Sequence, residues 1–161
     1  MKRLFKIVFL LLIVSLPVCA QVPSATIPEF NFIKLDKTSF TNKDLKRGKL
    51  LFFIFFDTEC EHCLHAITTI NQRYKELNKT ALYVITMDNQ QKLTLFLNTY
   101  GKNLLGKPNT TLLQELKNEF ITKFKPRKYP SLFLYSAKKT LLLYDDDEKK
   151  LPGFFNKIVQ T

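Results

Sequence analysis

Hydrophobic and polar positions follow two rhythms along this chain, and one stretch sets both. From Leu50 to Phe56 apolar residues run without a break, four of them phenylalanine. The run is too short to span a bilayer, and its composition predicts a strand buried on both faces, in the middle of a sheet with helices on either side. It stops at Asp57-Thr58, residue types that favour turns and helix N-caps. Beyond them Leu64, Ile67, Ile70, Tyr74 and Leu77 recur at helical spacing among polar residues, which predicts an amphipathic helix to about Asn78. Ala81 to Met87 then reads as a second buried strand. Two buried strands joined through a helix make a parallel, right-handed β-α-β unit.

The flanks follow the same two periods. Gln21 to Pro28 is an extended leader, Phe30 to Leu35 a short strand, and Thr41 to Asp44 the cap of a helical turn through Leu45. After the second buried strand, Asp88-Asn89 is turn and cap material. Gln90 to Tyr100 is a helix with Leu93, Phe96, Leu97 and Tyr100 on one face. Gly101 to Thr111 is a loop, and Leu112 to Phe124 is expected to be another helix, with Leu113, Leu116, Phe120 and Phe124 inward. Leu132 to Tyr135 and Thr140 to Tyr144 pair as a hairpin across a Ser136–Lys139 turn. The acidic run Asp145–Glu148 breaks the pattern, and Leu151 to Val159 closes the chain as a helix with Phe154, Phe155 and Ile158 inward. No internal repeat is present.

Lys2, Arg3 and Lys6, the apolar run Ile7–Val14 and the small-residue site Val18-Cys19-Ala20 have the order of a secretory signal. The expected division is a signal peptide over 1–20, cut after Ala20, and one domain over 21–161. That predicts a periplasmic or otherwise extracytoplasmic protein with no stable membrane insertion after cleavage. A retained anchor or a lipid on Cys19 are the alternatives. Removing Lys2, Arg3 and Lys6 from the 25 basic residues leaves 22 against 14 acidic ones, about +8. The basic residues are scattered apart from Lys123–Lys128, and no nucleic-acid motif is present. A solvated basic surface accounts for the charge.

Of three cysteines only Cys60 and Cys63 lie beyond the signal. A structural disulfide framework would carry more cysteines at wider spacings, so a lone C-x-x-C pair points to redox chemistry. The pattern puts Cys60 at the start of the helix after the central strand. Free N–H groups and the positive end of the helix dipole there favour an anion, so a Cys60 thiolate is expected to be stabilised. Cys63, one turn along and more enclosed, is close enough to close a disulfide. An exposed thiol beside a resolving thiol is the minimum equipment for disulfide exchange. Zinc or copper binding by Cys60, Cys63 and His62 or His65 is the rival from another class. Haem attachment would need His directly after Cys63, where Leu64 stands.

With Phe55-Phe56-Asp-Thr-Glu-Cys60-Glu-His-Cys63 and Tyr129-Pro130-Ser131-Leu-Phe-Leu-Tyr135 both placed, the chain from about Pro28 onward resembles the thioredoxin superfamily. It looks most like exported proteins of the TlpA/ResA and AhpC/TSA type common in Bacteroidetes. The resemblance implies an α/β thioredoxin-like fold, a central mixed β-sheet flanked by helices on both faces. It implies a thiol–disulfide oxidoreductase with Cys60 and Cys63 catalytic and Glu61, His62, Tyr129 and Pro130 in support. Tyr129-Pro130 would be cis and face the cysteines. It further implies no cofactor and no metal, protein disulfide or dithiol substrates, a membrane or periplasmic electron-exchange partner, and a monomer. The direction is read from the residues: Glu59 and Glu61 flank Cys60 and oppose the effect of His62 on its thiolate, which predicts a reductant. A non-catalytic binding module or a metal-handling protein is the alternative. Three positions depart from the family: Glu59 stands where Trp is usual, and Ile54 and Ala66 stand where proton-handling carboxylates are usual. Glu59, Glu61, His62 and His65 remain as candidates for that role. His62 holds the dipeptide position that histidine holds in DsbA and protein disulfide isomerase. A peroxidatic site would carry Thr three residues before its cysteine, and Asp57 is there.

Overall fold

The computed structural model describes residues 22–161, and the expected signal segment lies outside them. Its frame is a seven-stranded mixed sheet in the order β2-β1-β5-β4-β3-β6-β7. The strands are β1 (Asn31–Lys34), β2 (Ser39–Thr41), β3 (Leu50–Phe56), β4 (Thr80–Thr86), β5 (Thr110–Gln114), β6 (Ser131–Tyr135) and β7 (Leu141–Asp145). β3 is central, parallel to β4 and antiparallel to β6. Three α-helices accompany the sheet: α1 (Glu61–Gln72), α2 (Gln90–Tyr100) and α3 (Leu151–Val159). The α/β thioredoxin-like architecture anticipated above is the one observed.

The two-residue period of β3 divides its side chains between two cores. Phe52, Ile54 and Phe56 face one core with Ala66, Ile67 and Ile70 of α1, Leu93 and Leu97 of α2, and Leu151, Phe154 and Phe155 of α3. Leu51, Phe53 and Phe55 face the other, with Phe30, Phe32, Phe40, Phe120, Phe124, Phe133 and Tyr135. All three α-helices therefore cover one face, so of the helical cover expected on both faces the second keeps only a single turn. The second is closed by the N-terminal segment and one π-helical turn (Phe120–Phe124), whose first and last rings stack at 4.2 Å. Phe55 stacks on Phe120 at 4.3 Å. Each fully buried phenylalanine contributes about 1.5–3 kcal/mol, so an aromatic layer can replace helical cover.

Three local expectations are corrected. The helix expected over 112–124 is instead β5 followed by that single turn, and Leu116 is exposed. The reason lies in β4, whose seven residues are all buried and whose free edge needs a backbone partner. Residues 110–114 supply it in parallel register, Leu82 opposite Thr110 through Thr86 opposite Gln114. Lys125 in the left-handed region and Pro126 end the turn. The helix expected to reach Asn78 ends at Gln72, and residues 74–77 form a 3₁₀ turn. Thr41–Asp44 forms a hydrogen-bonded turn without a helix, with the Thr41 amide and hydroxyl donating to the Asp44 carboxylate at 2.8 and 3.0 Å.

Candidate active site

The parallel strands carry the chain to one edge of the sheet, and the cysteines sit there. After Phe56 the backbone turns through Asp57, whose Oδ1 accepts the Glu59 N–H at 2.7 Å. Cys60 follows as the N-cap of α1, in extended conformation (φ −87°, ψ 120°), and its carbonyl accepts the Leu64 N–H at 3.0 Å. Its thiol makes no capping hydrogen bond, and the residue is partly exposed at the first turn, where the N–H groups are free. Cys63 is fully buried. Both are free thiols. Burial pushes the Cys63 thiol well above the usual cysteine range, the Cys60 thiol beside it adds to the rise, and a hydrogen bond from the Asp57 backbone opposes it. The pair is thus one accessible sulfur at a helix N-terminus and one sealed sulfur behind it.

The Tyr129-Pro130 bond is cis, as expected. Register explains its place. Ser131 pairs with Phe55, so Pro130 lies beside the end of β3, where the cysteine turn begins. The Ser131 hydroxyl ties the loop down by donating to the Lys128 carbonyl at 2.7 Å. The Tyr129 ring packs on Phe55 at 4.9 Å, and its hydroxyl donates to the Met87 sulfur at 3.5 Å. Burial raises the Tyr129 phenol to about 12, and the Asp57 and Cys63 charges add to the rise.

The charged residues flanking Cys60 are held in pairs. Glu59 bonds Lys92 of α2. Glu61 projects into solvent, its Oε1 3.8 Å from His65 Nε2. His62 Nδ1 lies 3.1 Å from Oε1 of Glu148. Ile54 and Ala66 are fully buried, so no carboxylate lies beneath the cysteines from those positions. Among the described residues, no group of three or more His, Cys, Asp or Glu is arranged to hold a metal ion. Of Lys123–Lys128, Lys123 pairs with Glu119, while Arg127 pairs with Asp146 and lies over the Tyr144 ring.

Asp88, Lys92 and Glu148 belong to this site and escaped the sequence reading. Asp88 Oδ2 accepts the Thr58 N–H (2.9 Å), the Thr58 hydroxyl (2.8 Å) and the Thr86 hydroxyl (3.2 Å), fastening the cysteine turn to the end of β4. Burial alone would raise its carboxyl. The Thr58 and Thr86 hydrogen bonds and the Lys92 charge outweigh that and leave it below the usual carboxylate value. Asp88 and Asn89 looked alike as turn residues, yet Asn89 is the α2 N-cap, accepting the Lys92 N–H at 2.9 Å.

With this geometry in place, comparison with known proteins fixes the family. The AhpC/TSA family model matches residues 23–147. The chain belongs to the AhpC/TSA family. Solved structures share its fold at low identity. A secreted Mycobacterium tuberculosis disulfide oxidoreductase homologous to E. coli DsbE is 17% identical, with 80% of this chain and 95% of that one covered and a TM-score of 0.64. An uncharacterized thioredoxin-like protein from Porphyromonas gingivalis is 16% identical over 86% and 95%, TM-score 0.65. A thiol peroxidase from Chromobacterium violaceum is 14% identical over 84% and 87%, TM-score 0.63. At such identities the likeness concerns the fold alone. None of the curated proteins matches this AhpC/TSA chain.

Proposed function

We propose that the protein is an exported thiol–disulfide oxidoreductase that reduces disulfides in partner proteins. The observation that carries this reading is the asymmetry of the pair: partly exposed Cys60 at the N-terminus of α1, fully buried Cys63 one turn behind it. In the reduced protein the Cys60 thiolate attacks one sulfur of a substrate disulfide. The S–S bond breaks, one substrate thiolate leaves, and a mixed disulfide forms. Cys63 then gives up its proton and attacks the Cys60 sulfur. The Cys60–Cys63 disulfide closes and the second substrate thiolate leaves, so two electrons pass to the substrate. Burial favours the thiol form of Cys63 until the mixed disulfide has formed, which supports attack by Cys60 and resolution by Cys63. Tyr129 and Pro130 form the wall beside which an extended substrate backbone docks.

Export is read from the N-terminal sequence, with Gln21 as the mature first residue; no helix among the described residues is long and apolar enough to cross a membrane. An electron-exchange partner in the membrane or periplasm would return the pair to the dithiol. The test is reduction of insulin by dithiothreitol. Catalytic acceleration by the wild type, lost in Cys60→Ser, is the expected result. A wild type no faster than dithiothreitol alone would make the domain a binding module.

A further inference from the structure

Along the exposed side of α1 runs a groove of about 540 Å³, lined by Glu61, His62, His65, Thr69, Glu148, Lys149 and Pro152. Its walls come from α1 and from the turn entering α3. The one short hydrogen bond across it joins His62 Nδ1 to Glu148 Oε1, 3.1 Å apart and 86 residues apart in sequence. The partners differ in freedom. The His62 side chain is 66% exposed, whereas that of Glu148 is 14% exposed. Glu148 starts a three-residue 3₁₀ turn capped by Asp147, whose side chain accepts the Lys149 N–H at 2.9 Å. A carboxylate on a fixed turn therefore meets a ring that solvent would otherwise leave mobile.

We propose that Glu148 is a positioning residue for disulfide exchange, holding His62 with its Nδ1–H donated to the carboxylate and its positive charge available to a Cys60 thiolate. The inference rests on the exchange function proposed above. The other charged groups around His62 do not take this role. Glu61 and His65, on the same helix, face one another, Lys149 lines the α3 side of the groove, and Glu59 is engaged by Lys92 on the opposite flank. His62 and Cys60 share the start of α1, two residues apart. An imidazolium there favours the reduced, thiolate form of the pair over the neutral disulfide, which makes the couple more oxidising.

The sign separates an action through His62 from a direct one. A carboxylate acting directly on Cys60 would disfavour the thiolate, so its removal would make the couple more oxidising. A carboxylate acting by holding a charged His62 has the opposite effect, and its removal makes the couple more reducing. The experiment equilibrates wild type, Glu148→Gln, His62→Ala and the double variant with glutathione at pH 7. Glu148→Gln should lower the equilibrium constant for oxidation of glutathione by the protein roughly threefold, the scale of a partly exposed ion pair. The drop should vanish in the His62→Ala background. Nitrogen-15 shifts of His62 should report the proton on Nδ1 in wild type and a return to the Nε2–H tautomer in Glu148→Gln. A rise in the constant, no change, or an equal drop without His62 would each overturn the proposal. Glu148→Gln is nearly isosteric, and its melting curve checks that the turn still folds. Wild-type insulin reduction, run alongside, tests the parent function separately.

Discussion

Replacing Asp88 with alanine removes one carboxylate and, with it, three hydrogen bonds at the turn that carries the cysteines. A hydrogen bond to a charged acceptor contributes about 1.5–3 kcal/mol, and these three share a single oxygen that is partly open to water. Counting the two Thr58 bonds as one unit at the low end, about 1.5 kcal/mol, and the longer Thr86 bond as about 0.5 kcal/mol, Asp88→Ala should cost about 2 kcal/mol. In a domain of this size that lowers Tm by roughly 4–8 °C. The pH dependence has a fixed sign. The folded Asp88 carboxyl lies below its ordinary value, so its stabilisation is complete above the unfolded value near pH 4 and is lost as pH falls through the lower folded value. The stability difference between wild type and Asp88→Ala, measured by urea unfolding from pH 7 downward, should be flat to about pH 5 and shrink below about pH 4. Thr58→Val in the Asp88→Ala background should add little, because both changes break the same contact. Equal stability of wild type and Asp88→Ala at pH 7, or a difference that grows on acidification, would refute the reasoning.

Cys63→Ser should accumulate mixed disulfides with client proteins, visible on non-reducing gels, while Cys60→Ser should not; the reverse pattern would exchange the two roles. Pro130→Ala should slow exchange with protein disulfides about tenfold or more while leaving reaction with glutathione nearly unchanged, since only a long substrate uses the wall beside the pair; equal slowing of both would remove the docking role. The Cys60–Cys63 couple should have a midpoint at pH 7 nearer to thioredoxin, about −270 mV, than to DsbA, about −120 mV. A glutathione midpoint more positive than about −180 mV would make the protein an oxidant or isomerase.

What could be read in advance was whatever one segment decides for itself. β3 has the expected limits because seven consecutive apolar residues fit few places other than mid-sheet. The limits of α2 and α3 also match expectation, since their apolar residues recur every three or four positions. Residues 112–124 went the other way because their register was set from outside. Leu113, Leu116, Phe120 and Phe124 have a helical spacing, but the free edge of β4 offered Leu112–Gln114 a ladder that a helix could not satisfy. Leu116 is left in solvent as the consequence. The site divides the same way. Cys60, Cys63, Tyr129 and Pro130 were legible from their neighbours in sequence. Asp88, Lys92 and Glu148 reach the site across 30, 33 and 86 residues, and nothing local to them announces the contact.

Those distant contacts change the electrostatic argument for the direction of electron flow. In sequence, Glu59 and Glu61 stand against His62 as isolated charges a few residues from the sulfur. Single charges that close act at about 1–4 kcal/mol in a surface dielectric, enough to move a couple far in either direction. In the fold each has a close polar partner: Lys92 for Glu59, His65 for Glu61 and Glu148 for His62. A close pair acts on a third charge as a dipole, whose effect falls off faster with distance than that of a monopole, and exposed pairs contribute only about 0–1 kcal/mol. The flanking groups therefore trim the couple more than they set it. What remains uncompensated is the row of free N–H groups at the start of α1, the feature shared by every helix that begins with a thiolate. Without a strong extra cation beside Cys60, the thiolate has no cause to be stabilised to the degree a strong oxidant requires. These electrostatics support the proposed role as a reductant.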